Sequence, residues 1–207
     1  MAASGISQIL GRVKDVFKFV LRTKQRRSRA IEALPSRQYM QTTLIPALAA
    51  AERRRMLFVG AQPYNLSFYR SCEALKIGVW SVDYDPASAP YGAPQGHFVG
   101  DVKQIGILAP QLKFNVIVFN GILGFGVNAP ADAVSALEAM EQVAEPDALL
   151  IIGWNPGRTD GQEIAALRPR LTRAVLGDLP SEIEFPAIGV QRDPHRYEIF
   201  KFGTTEK

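Results

Sequence analysis

The chain has 207 residues, 47% of them apolar, enough for one sizeable core and too few for two large independent domains. Its formal charge of +4 is uneven: residues 1–29 hold eight Lys or Arg against one acid, which leaves the rest near −3 and argues against a nucleic-acid-coating surface on the folded body. One cysteine, Cys72, and two histidines, His97 and His195, exclude a disulfide framework and a metal centre built from cysteine or histidine clusters.

Two units are expected, residues 1–29 and residues 30–207. In the first, Ile6, Ile9, Leu10, Val13, Phe17, Val20 and Leu21 recur every three or four residues, with Arg12, Lys14, Lys18 and Arg22 flanking or opposite them. This spacing predicts a basic amphipathic helix. Such a helix fits an anionic membrane surface, and packing against the domain or a second copy of the chain is the commoner use of such a stretch. No apolar run approaches the roughly 20 residues that cross a bilayer, and the N-terminus lacks the apolar core of a secretory signal. The expectation is a cytoplasmic protein, with peripheral membrane or partner-helix contact through residues 6–22 and homo-oligomerisation left open. Lys24 to Arg29 reads as a polar linker.

A second helix is expected from Ser36 to Arg54, with Pro46 able to kink or divide it. From Arg55 onward short apolar runs alternate with helical or loop segments. The runs are 56–60, 78–83, 97–102, 116–120 and 148–154, and they suit parallel strands covered on both faces. Between them Asn65 is expected to cap a helix through Leu75, and Asn128 with Pro130 to open a helix closed by Pro146. A helix near 161–176 follows. Then 183–189 and 197–202 flank Arg192-Asp-Pro-His195 as a terminal hairpin. The alternation implies right-handed βαβ crossovers and a doubly wound sheet.

Chemistry is expected at the strand ends. A strand closing on Gly60 and, one βα unit later, a strand closing on Asp83 with Asp85 nearby is how open α/β sheets hold a nucleoside, the carboxylate accepting hydrogen bonds from ribose hydroxyls. Gly121, Gly124 and Gly126 allow close approach of backbone to a ligand and are expected to floor the cleft. Trp154 is expected as an aromatic wall for substrate, and Cys72 as a core residue. His97 is expected at the surface. His195, placed in the hairpin loop, is either a bland loop residue or a base at the substrate mouth.

Val59-Gly60-Ala61-Gln62-Pro63-Tyr64-Asn65, Val82-Asp83-Tyr84-Asp85-Pro86, Phe98-Val99-Gly100-Asp101-Val102, the run from Phe114 to Gly121 and the run from Leu149 to Trp154 together resemble the class I S-adenosylmethionine-dependent methyltransferases over about residues 55–202. The resemblance implies an α/β fold: a Rossmann-like three-layer αβα sandwich whose mostly parallel seven-stranded sheet ends in a C-terminal antiparallel hairpin. It implies S-adenosylmethionine as cofactor and transfer of its methyl group to a small acceptor by direct in-line displacement. It further places Asp83 on the ribose, Asp101 at the adenine edge, Gly60, Gln62 and Asn65 at the amino-acid end, and Asn120 with Gly121 beside the methyl group. Asn120 and His195 are the candidates for a catalytic role. The chain departs from the family pattern in keeping one of three loop glycines, with Gln62 and Tyr64 in the other two places and Phe58 where an acid is common. That departure leaves open a non-catalytic interaction domain of the same fold. A nicotinamide-dependent oxidoreductase is disfavoured, because Gly-x-Gly-x-x-Gly is absent.

Overall fold

The computed structural model describes Thr23 and residues 25–203, so the amphipathic stretch 6–22 lies outside the described residues. Residues 25–32 are helical, which corrects the reading of the polar run before residue 30 as a linker. Helix α1 (Pro35–Tyr39) passes through one π-helical turn (Met40–Leu44) into α2 (Ile45–Ala50). Pro46 sits in the first turn of α2. It has no N–H to return to the preceding turn, and a wide π turn directly before it is one way a helix absorbs that loss without breaking.

Five strands then run parallel: β1 (Arg55–Val59), β2 (Gly78–Asp83), β3 (Gly96–Val99), β4 (Phe114–Asn120) and β5 (Ala144–Trp154). The crossovers carry α3 (Leu66–Ala74), α4 (Ile105–Leu108) and α5 (Pro130–Gln142). Pro130 opens α5 at its first turn as expected. Pro146 does not close that helix. It lies inside β5, where the β4–β5 register slips between Phe114 and Val116, and such an irregularity tolerates a residue with no donor for the ladder.

The sheet order is β3-β2-β1-β4-β5-β8-β6, with β7 also pairing β8. Strand β8 (His195–Phe202) is antiparallel to β5 and to both outer strands. Strands β6 (Leu171–Arg173) and β7 (Glu182–Phe185) pair with successive halves of β8, so eight strands fill the seven positions expected and the closing antiparallel hairpin is β7–β8. The helix expected over 161–176 is shorter than that. Helix α6 (Gln162–Leu167) gives way to a 3₁₀ turn containing Pro169, and the chain then extends into β6.

Alternation along the central strands feeds both layers. Leu57, Val59, Ile117, Phe119, Leu150 and Ile152 enter the core under α5 and α6, while Met56, Phe58, Val116, Val118, Leu149 and Ile151 enter the core under the π turn, α2 and α3. Cys72 belongs to the second core, where burial pushes its thiol up to about 12 and leaves it an unreactive packing group at neutral pH. No helix among the described residues is long and apolar enough to cross a membrane.

Candidate functional site

Strands β1 and β4 are neighbours whose following crossovers lead to opposite sides of the sheet, and the two turns leaving them open a crevice at their C-terminal ends. A cleft of about 960 Å³ occupies it. Its wall includes all of Gly60, Gln62, Asn65, Asp83, Asp101, Asn120 and Gly121. Arg27, Ser28 and Ile31 of the helical segment 25–32, with Arg37 of α1, also line it.

Asp83 closes β2 and is 9% exposed. Its Oδ2 accepts the Ala61 N–H at 2.7 Å and its Oδ1 accepts the Asp85 N–H at 2.9 Å. The carboxylate thus clasps the turn after β1 to the turn after β2. A carboxylate has about four lone-pair sites, so two remain for ligand donors. Gly60 turns with φ +90 and donates its N–H to the Val82 carbonyl at 2.8 Å, a backbone path that strains any residue with a Cβ. Asn65 does not cap α3, because its own backbone is already helical. Its Nδ2 instead donates weakly to the Gly60 carbonyl at 3.4 Å and steadies the turn from within. Gln62 is exposed on the rim, and the Arg37 guanidinium rests 4.9 Å above the Tyr64 ring.

Asp101 caps the short turn after β3 by accepting the Lys103 N–H at 2.9 Å. The Lys103 ammonium lies 3.4 Å from Asp101 and 2.9 Å from Asp132, whose hydrogen bond, together with the Asp101 charge, raises its pKa. His97 is not a free surface residue. It stands beside Ser81 in the β2–β3 register and is held by Ser81 Oγ at 2.8 Å and Ser88 Oγ at 3.2 Å. Ser81 Oγ also accepts the Ala93 N–H at 2.8 Å, so these three side chains pin the loop that follows Asp83.

Gly121 has φ +70, and an added Cβ would meet nothing within 4 Å, so its backbone faces open cleft. Gly126 also lines the cleft, whereas Gly124 packs against Thr159 and Arg158 and does not. Trp154 is no substrate wall: it is 6% exposed and its indole N–H donates to Glu198 at 2.9 Å. His195 is the first residue of β8 rather than a hairpin-loop residue, is 5% exposed, and is absent from the cleft wall. Burial, helped by the nearby Arg37 charge, brings its pKa down to about 3, too weak a base for proton transfer at neutral pH.

Asn120 closes β4, with Nδ2 donating to Met40 Sδ at 3.4 Å and Oδ1 lying over Gly153. A Cβ on Gly153 would sit 2.0 Å from that oxygen and 2.8 Å from Tyr197 Cε1. Gly153→Ala is therefore expected to cost about 1–3 kcal/mol of stability through overpacking. Urea unfolding checks this, and a loss under about 0.5 kcal/mol would show that the strand end repacks freely. Arg27, Ser28, Ile31 and Arg37 on the cleft wall, and Met40 and Tyr197 beside Asn120, are among the residues that sequence reasoning missed. In the sequence Arg37, Met40 and Tyr197 read as ordinary members of a helix and a strand.

No protein-family model matches the chain, and no curated protein matches it. Solved structures do. The N-methyltransferase NodS from Bradyrhizobium japonicum WM9 is 14% identical with TM-score 0.59, over 83% of this chain and 99% of that one. A S-adenosylmethionine-dependent methyltransferase from Clostridium acetobutylicum is 9% identical with TM-score 0.60, over 80% and 92%. The Burkholderia thailandensis 1,6-didemethyltoxoflavin-N1-methyltransferase, solved with its substrate and S-adenosylhomocysteine, is 14% identical with TM-score 0.55, over 93% and 90%. With the strand order and closing hairpin above, these likenesses show that the chain has the class I fold of the S-adenosylmethionine-dependent methyltransferases.

Proposed function

We propose that the cleft binds S-adenosylmethionine and that the chain directs its methyl group in line onto a small acceptor. The observation that carries this is Asp83: a strand-end carboxylate, bound by one backbone N–H on each oxygen, that keeps acceptor capacity on the cleft wall. That is the donor–acceptor match for a ribose diol. NodS has also been solved in complex with S-adenosylhomocysteine, and the toxoflavin enzyme holds the same compound, which supports a sulfur-containing nucleoside here.

Asp101 borders the adenine side in this reading. Gln62 and Arg37 take the amino-acid end, the guanidinium supplying charge where Pro63 has no N–H to donate. S-adenosylmethionine supplies a methyl group already activated on a sulfonium. The residues of the chain therefore mainly hold and orient, Asn120 and the open backbone at Gly121 bordering the reacting centre. Orientation of this kind is worth roughly 7–11 kcal/mol in favourable cases.

Titration calorimetry with S-adenosylmethionine, S-adenosylhomocysteine and NAD tests the reading. Binding of the first two and not the third is expected, with Asp83→Ala weakening S-adenosylhomocysteine by at least about tenfold through loss of charge-assisted hydrogen bonds. Equal affinity in the variant would remove Asp83 from the ribose. No binding by the wild type would leave a non-catalytic domain of this fold.

A further inference from the structure

A second cavity, of about 410 Å³, adjoins the turn after β4. Gly121, Phe125 and Gly126 of that turn line the cleft, whereas Gly124 and Asn128 line the second cavity, and the two share no lining residue. Most of the remaining wall comes from the segment after β5, with Arg158, Asp160, Gln162 and Glu163.

The burial along this wall runs against the usual order. Asn128, Arg158, Asp160 and Gln162 are exposed, and the buried member is a carboxylate: Glu163 is 6% exposed. Its Oε2 is buried with no hydrogen-bond partner. Glu163 is the second residue of α6, and the start of a helix favours negative charge. That field accounts for an acidic residue here but supplies no donor to the bare oxygen. A charge drawn out of water is costly unless it is paired, so this carboxylate calls for a partner that the chain does not provide.

The neighbouring groups leave a defined set of free atoms. Asp160 Oδ1 accepts the Gln162 N–H at 3.1 Å, and Thr159 Oγ1 accepts the Gly161 N–H at 3.0 Å, so these two side chains shape the turn into α6. Asp160 Oδ2 stays free. The Arg158 guanidinium is turned over the Phe125 ring, 4.6 Å from its centroid. The wall thus sets two carboxylates against one guanidinium, which favours a cation. An ammonium has three N–H donors and no acceptor, the complement of the two Glu163 oxygens and Asp160 Oδ2. A metal ion fits less well, because no group of three or more His, Cys, Asp or Glu among the described residues is placed to hold one.

We propose that this cavity binds the ammonium end of a small aliphatic amine, with Glu163 as its principal partner and Asp160 as the second. The site is separate from the cleft and does not depend on which nucleoside the cleft holds. The two are joined at Asn128, whose Oδ1 accepts the Gly126 N–H at 3.3 Å, so an amine in the cavity lies against the turn that lines the cleft.

The test titrates ¹⁵N-labelled protein near neutral pH with propylammonium, with tetramethylammonium as a cation lacking N–H donors, and with propionate as an anion. Propylammonium is expected to move the side-chain amide resonances of Asn128 and Gln162 and to bind at least about tenfold more tightly than either control. Glu163→Gln keeps the shape and removes the charge, and should weaken propylammonium by at least about tenfold. Asp160→Asn keeps the Oδ1 acceptor of the turn and should weaken it by about threefold or more. Should Glu163→Gln fail to fold, the exposed Asp160→Asn and the ranking of the three probes on the wild type decide the matter. Unmoved Asn128 and Gln162 resonances, tetramethylammonium or propionate binding as well as propylammonium, or unchanged propylammonium affinity in a folded Glu163→Gln would overturn the proposal.

Discussion

Glu198→Ala is expected to lower stability by about 2–4 kcal/mol, a large share of the 5–15 kcal/mol that holds a typical domain together. Glu198 is fully buried in β8. Its Oε1 accepts the Trp154 indole N–H at 2.9 Å and Arg168 at 3.1 Å, and its Oε2 lies 2.8 Å from Arg173. The carboxylate thereby ties the end of β5, the turn after α6 and β6 to one point on β8. Charge-assisted bonds of this kind contribute about 1.5–3 kcal/mol each, but removing the buried charge also relieves its desolvation. Arg168 and Arg173 are 44% and 40% exposed and rehydrate easily, which limits the cost on their side. The residual loss comes from an orphaned indole N–H and an unfilled cavity. Thermal unfolding should show a melting temperature lower by about 4–16 °C, and Glu198→Gln, which keeps volume and one acceptor oxygen, should lose less. Wild-type stability in Glu198→Ala would mean that β6 and the turn before it are held by packing alone.

Most of the sheet was legible because parallel strands covered on both faces are continuous apolar runs, and Leu149-Leu-Ile-Ile serves two cores at once. The outer strand was not. Strand β6 is three residues long and follows Pro169 within a stretch whose apolar spacing also suits a helix, so only its pairing with β8 defines it. The Gly60 and Asp83 half of the site was legible for a local reason: Gly60 directly follows its strand and Asp83 closes its own, and strand ends face the crevice in this architecture. Asn65 and Trp154 misled because capping and stacking are side-chain choices made by neighbours, respectively the Gly60 carbonyl and the buried Glu198. The side-chain cluster around Tyr197 was illegible in principle. It joins α1, the end of β4 and the start of β8, and no spacing within any one segment announces that Tyr39, Asn120 and His195 meet around that ring.

Acidification is expected to destabilise the protein well above the range in which carboxylates titrate, and His195 is the main reason. Its folded-state pKa of about 3 lies below the unfolded value of 6.5, because burial, and then the Arg37 charge, disfavour the imidazolium; the groups around it are Asn155, Tyr197 and Arg37. A depressed histidine contributes stability that is fully present above pH 6.5 and is lost as pH falls from 6.5 toward 3, since only the unfolded chain takes up the proton across that interval. The slope approaches about 1.4 kcal/mol per pH unit, so roughly 2 kcal/mol should disappear between pH 6.5 and 5. His97, lowered by burial and partly restored by Asp83, adds to the loss in the same direction. Glu52 and Asp147, whose pKa values are lowered by Arg54 and by Lys201, begin to matter only below the usual carboxylate range near 4. The interval from pH 6.5 to 5 therefore isolates the histidines, and urea unfolding of the wild type and of His195→Gln across it separates the two. The variant starts less stable at pH 7 but should lose at most half as much on acidification. Parallel profiles would show that the imidazole at position 195 is reached by protons without unfolding.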